Sequence, residues 1–224
     1  MLALKLGMSL VSKRLQGGWT PTDESSLEAW YQNAVGITLN GSDVSQWADS
    51  SSNNNHMVQA TASQQPAYSA GVLTFAAASK DNLEATAQMS FSGAFTIGFK
   101  FNPTSTNTII LGDNDAGGEF FKYSTTSRIV VKIDGSTKNL NLDSGTFGDD
   151  YVVISRDSSN LLTLYKNGTA QSGTQTLAGT ADVDAIGVRA TDLNPYNGTI
   201  EEVQIYSSES AALTANVNAR LSGI

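Results

Sequence analysis

Alternation of apolar and polar side chains runs through most of the chain. In FTIGFKF, Phe95, Ile97, Phe99 and Phe101 alternate with Thr96, Gly98 and Lys100. That period of two predicts a strand with one buried and one exposed face. Comparable runs occupy 72–76 (VLTFA), 127–133 (SRIVVKI), 151–157 (YVVISRD), 161–168 (LLTLYKNG) and 199–206 (TIEEVQIY). Turn chemistry separates them: RDSSN at 156–160, KNG at 166–168, and IDGSTKN at 133–139, whose Asp-Gly pair marks a hairpin. One helical pattern stands near the end, where Leu213, Val217 and Leu221 recur every fourth residue. Many short strands at this spacing predict an all-β fold, an antiparallel jelly-roll β-sandwich closed by a short C-terminal helix.

The opening MLALKLGMSLVSKRLQGG has a different texture. Leu2, Leu4, Leu6, Met8 and Leu10 alternate with Ala3, Lys5, Gly7 and Ser9, and Lys13 and Arg14 follow. The pattern suits a strand added to the sheet edge of another protein. A helical register through Leu4, Met8, Val11 and Leu15 competes with it, weakened at Gly7 by about 1 kcal/mol relative to Ala. The reading divides the chain into a docking arm (1–16), a hinge (17–24) and a sandwich (25–224). In the arm, the five apolar residues are expected to insert into a partner while Lys5, Lys13 and Arg14 pair with its acids.

Charge sharpens this division. Net charge is −8, and three of the 13 basic residues fall within residues 1–14, which hold no acid. The rest therefore carries ten basic against 21 acidic residues, a net of −11. Such an acidic body argues against phosphate-backbone binding, whose affinity comes from Lys and Arg. The chain has no cysteine, which removes disulfide and thiolate chemistry. No run approaches the roughly 20 apolar residues of a membrane span. Lys5 interrupts the opening apolar run and the other basic residues follow it, the reverse of a signal peptide. Neither a nucleic acid nor a membrane is an expected partner.

Two segments together carry a family resemblance: WADSSSNNNHMVQATASQQPAY (47–68) with GVLTFAAASKDNLEA (71–85), and YNGTIEEVQIYSSESAALTANVNARL (196–221). The order of a Trp-x-Asp-x-Ser-x-Asn loop, a Gln-Pro-x-Tyr turn and a terminal Gly-x-Ile-x-Glu-Val strand resembles the concanavalin A-like lectin/glucanase superfamily, in its laminin-G-like and pentraxin-like branch. Relatives that place calcium near the last strand imply Asp49, Asn53, Asn55 and Glu201 as candidate ligands. Strict alternation would put Glu201 on the same inward face as Val203 and Ile205, where a carboxylate needs a partner. GDNDAGG (112–118) is a second oxygen-rich loop without the Glu of an EF-hand. The superfamily also implies glycan binding, for which Trp19, Tyr123, Asp192, Asn194 and Tyr196 are candidates.

The Glu-x-Asp-x-x-Glu strand of the superfamily's glycosidases is absent, and with it the paired carboxylates of sugar hydrolysis. His56, the one histidine, sits in a Ser/Asn loop without a catalytic partner nearby in sequence. The chain is therefore expected not to be an enzyme and to need no cofactor, calcium aside. The opening arm, the Gly-Gly pair and the Ser/Thr/Asn-rich body also resemble virion structural proteins of tailed bacteriophages. That resemblance implies a capsid-decoration, neck or tail accessory protein, made in the host cytoplasm, held on the particle by its arm and by contacts with other virion proteins, and a homo-oligomer there. A lectin-like module contacting host-surface glycans is the alternative.

Overall fold

The computed structural model describes residues 18–115 and 118–224. The docking residues Leu2, Leu4, Lys5, Leu6, Met8, Leu10, Lys13 and Arg14 lie outside them. In chain order the strands are β1 (Leu27–Tyr31), β2 (Ile37–Asn40), β3 (Asp43–Trp47), β4 (Met57–Val58), β5 (Ala67–Ser69), β6 (Val72–Phe75), β7 (Leu83–Phe91), β8 (Phe95–Pro103) and β9 (Thr108–Gly112). They continue with β10 (Phe120–Thr125), β11 (Arg128–Ile133), β12 (Ser136–Asn141), β13 (Asp150–Arg156), β14 (Leu161–Lys166), β15 (Thr169–Ala170), β16 (Gln175–Thr176), β17 (Ala181–Ile186) and β18 (Gly198–Tyr206). A single helix, α1 (Ala211–Leu221), follows.

All pairings are antiparallel, and they form two layers. The first sheet runs β1 and β6 together on one side of β18, then β8, β13 and β14. The second runs β2–β3–β4–β7–β17–β9–β10–β11–β12. β5 joins them by pairing with both β3 and β6. Between the layers, alternate side chains of each strand meet in one core. Phe95 of the first sheet stands edge-on to Phe121 of the second at 5.9 Å, and Phe101 likewise meets Tyr123. The Asp-Gly signal is a tight turn between β11 and β12, with Asp134 and Gly135 at φ 46° and 74°. A left-handed pair of this kind matches the twist of the flanking strands.

β8 departs from the expected pattern: both its faces are buried over Phe95–Phe99. The cause is α1, which lies across the outer face of the first sheet. Leu213, Val217 and Leu221 pack there with Leu27, Trp30, Val153 and Tyr206. Gly98 makes this approach possible, because a Cβ at that position would run into Val217 Cγ1. Ser210 caps the helix, accepting from the Leu213 amide at 3.0 Å.

The segment read as a hinge is fastened to the body. Trp19 packs on the cluster beneath α1 and donates from Nε1 to Glu24 Oε1 at 2.9 Å. Pro21–Asp23 form a short 3-10 turn whose Asp23 carboxylate accepts from the Thr20 amide.

Candidate functional site

The Trp-Asp-Ser-Asn loop turns out to be a staple. Asp49 is buried, and four donors fill its carboxylate: the Trp30 and Ser51 amides on Oδ1, the Ser51 hydroxyl and the Asn55 amide on Oδ2. Asn53 and Asn55 donate from their side chains to the Leu27 and Glu28 carbonyls. His56 Nδ1 accepts from the Asp49 amide at 3.0 Å. The three candidate metal ligands Asp49, Asn53 and Asn55 thus come together, spent on sealing the free edge of β1. A polar cleft of about 290 Å³ opens beside them, lined by Thr22, Glu24, Ser25, Ser51 and Asn53.

Glu201 does not join that group. The pairing of β18 with β8 shifts register between Ile200 and Glu202, a bulge that takes Glu201 out of the inward-facing row. Ile200, Val203 and Ile205 enter the core, Glu201 pairs with Lys100 at 3.9 Å, and Glu202 becomes the fully buried carboxylate. Five donors converge on Glu202. Trp30 Nε1, Gln204 Nε2 and Arg220 Nε reach Oε1 at 3.0, 2.8 and 3.0 Å. The Asn33 amide and Arg220 NH2 reach Oε2 at 3.1 and 2.9 Å. Tyr206 extends the network by donating to Gln204 Oε1. Arg220 also stacks on the Trp30 ring, so the network ties α1 to β1 and β18.

Two of the glycan candidates are core residues. Tyr123 faces inward against Phe101 and Phe147, and Tyr196 is wholly buried against Phe75 with its hydroxyl donating to Thr199 O. Their rings are closed to a sugar. Asp192 and Asn194 sit in a loop with a run of left-handed residues, Ala190, Thr191, Asp192 and Asn194. The Asp192 amide donates to Asn114 Oδ1 and its carboxylate accepts from Gln64, while Asn194 accepts from Arg189 and from the Ile109 amide. These contacts pin the loop over the outer face of the second sheet.

Beside that loop the oxygen-rich 112–118 segment meets Asp184, a residue that no sequence motif marked. Asp113, Asp115 and Asp184 each offer a carboxylate oxygen within 4.8 Å of the others, an arrangement that could hold a metal ion. Asp184 accepts from the Asn114 amide at 2.7 Å, and Glu84 accepts from the Asn114 side chain. Burial, followed by repulsion from Asp113 and Asp115, pushes the Asp184 carboxyl up to about 6. Burial and the charge of Asp184 raise Glu84 as well.

Four aromatic side chains among the described residues escape full burial: Trp19, Tyr68, Tyr151 and Tyr165. Three of them, Trp19, Tyr151 and Tyr165, pack around the cluster that α1 covers. Between α1 and β14 runs a groove of about 380 Å³ lined by Tyr165, Gly168, Ala211, Thr214, Ala215 and Asn218. Small residues on both walls keep it open. Thr214 Oγ1 and Asn218 Oδ1 are buried in the helix wall without a hydrogen-bond partner, although Asn218 Nδ2 bonds the Thr214 carbonyl. Unpaired buried polar atoms are rare and costly. Tyr165 and Asn218 carry no motif, so only the docked helix reveals them together.

No curated protein matches the chain in sequence. Among solved structures, the binding domain of Paraclostridial Mosquitocidal Protein 1 superposes with a TM-score of 0.60 at 13% identity, over 91% of this chain and 53% of that one. The chain thus spans about half the length of that neighbour. A sialidase module, the Ruminococcus gnavus IT-sialidase CBM40 bound to α2,3-sialyllactose, aligns with a TM-score of 0.46 at 16% identity, over 57% of this chain and 83% of that one. A laminin-G family model covers residues 76–216, from the end of β6 into α1. With two stacked antiparallel sheets, and a family match over more than half its length, the chain belongs to the concanavalin A-like lectin/glucanases superfamily.

Proposed function

We propose that the protein is a non-catalytic glycan-binding module that seats a neutral sugar on Tyr165, in the groove beside α1. The groove carries this reading. It combines a partly exposed aromatic ring, small walls and two buried polar atoms in want of partners. A pyranose offers an apolar C–H face to a ring and hydroxyls to such atoms. A side-chain rotation turns Thr214 Oγ1, which both donates and accepts, and Asn218 Oδ1, which accepts, out of the helix wall and onto the ligand. Neither a carboxylate nor a histidine lines the groove, which favours binding without hydrolysis and a ligand without charge. The toxin neighbour is itself a binding domain, which agrees with this reading. Residues 1–16 then serve to mount the module in a larger assembly, a virion in the reading that the opening segment suggests.

A glycan array followed by calorimetry tests the proposal. Binding should survive a chelator, labelled oligosaccharides should be recovered intact, and Tyr165→Ala should weaken affinity about tenfold or more. A blank array, or affinity untouched by both Tyr165→Ala and Asn218→Leu, would sink it.

A further inference from the structure

The edges of the two sheets are not treated alike. The free side of β1 is sealed by the Asp49 loop, since Trp30 N bonds Asp49 and the Leu27 and Glu28 carbonyls take Asn53 and Asn55. β14 is flanked by β15 and β16. β12, at one end of the second sheet, carries Lys138. β2, at the other end, pairs only with β3 among the described residues. From Val35 to Ser42 the sequence VGITLNGS has neither a charge nor a proline, the devices that protect an exposed edge. Leu39 is 46% exposed, and Val35, just before the strand, is 43% exposed. They are two of the three exposed large hydrophobics among the described residues. Ile37, two before Leu39, leans on the core.

We infer that β2 is the acceptor for residues 2–10 of a second copy of this chain, added as an antiparallel or parallel strand. The donor segment has the matching alternation at Leu2, Leu4, Leu6, Met8 and Leu10. Lys5 within it, with Lys13 and Arg14 just beyond it, faces a body of net charge −11, and Asp43 stands opposite Asn40 in the neighbouring strand. The arm is long enough to reach a second copy. Sixteen extended residues reach about 50 Å, whereas a body of some 200 residues has a radius of gyration of about 17 Å. The exchange needs only one kind of chain, because each copy has both the donor and the acceptor.

Sedimentation of the full chain over a wide range of concentration tests this. The full chain should associate reversibly, and deletion of residues 2–16 should leave a monomer with unchanged melting. The paired change Val35→Lys and Leu39→Lys should weaken association about tenfold or more while leaving the arm intact. A free peptide of residues 1–16 should bind the deleted protein and fail to bind its Val35→Lys, Leu39→Lys form. The inference is overturned by a full chain that stays monomeric, by a deleted chain that still associates, or by β2 variants that associate as the parent does. A melting scan of each variant separates lost docking from lost folding.

Discussion

A buried and a half-buried acidic site on opposite outer faces of the sandwich meet their charge in opposite ways. Glu202, beside α1, is fully buried yet receives five hydrogen-bond donors, two of them from the Arg220 guanidinium. Asp184, beside the 187–197 loop, has like charges for neighbours and accepts from the neutral Asn114 amide. Burial by itself therefore says little about a carboxylate. A buried ion whose lone pairs are filled holds elements together, whereas crowded acids raise one another's affinity for protons or cations.

The sharpest way to break this contrast is Glu202→Ala. It orphans the Trp30 indole, the Asn33 amide and Gln204 while stripping Arg220 of its partner, and should cost about 3–5 kcal/mol in denaturant unfolding. Asp184→Asn should do the reverse. With a native value near 6 and an ordinary one of 3.8, the native state binds more protons than the unfolded chain between those limits. Asp184 therefore withdraws stability as pH rises through that window. The variant's stability should pull ahead of the parent's between about pH 4 and 7, by about 1–2 kcal/mol once solvent screening of the half-exposed carboxylate is counted. A variant that melts lower instead would mean that the charged acceptor for the Asn114 amide outweighs the repulsion. The smallest effect belongs to Arg220→Lys, which keeps the charge but gives up the paired contacts and the stacking on Trp30. About 1 kcal/mol is expected by chemical denaturation.

The strand alternation and the turn residues made the sandwich legible, and the i, i+4 pattern placed the helix at 211–221, where α1 forms. Four things stayed hidden for physical reasons. A single bulge after Ile200 took Glu201 out of the inward row while Val203 and Ile205 stayed in it, and the docking of α1 buried Glu202 on the outer face. Tyr123 and Tyr196 look like any exposed tyrosine until the layers close over them. The alternation of β17, with Asp182 and Asp184 among alanines and Val183, is too weak to stand out. Yet that strand carries Asp184 to within reach of Asp113 and Asp115. The groove by Tyr165 could not be foreseen either, since it exists only where Gly98 lets the helix settle onto the sheet.

Trp19 and Ile224 pack against the same apolar cluster. The two ends of the described body are therefore moored at one face, in the manner of a plug with both wires leaving from one side. A body wired in this way can be spliced into a surface loop of a host protein without the host chain having to cross it. Fusion partners joined at either end would crowd the helix side and leave the second sheet and its β2 edge unobstructed.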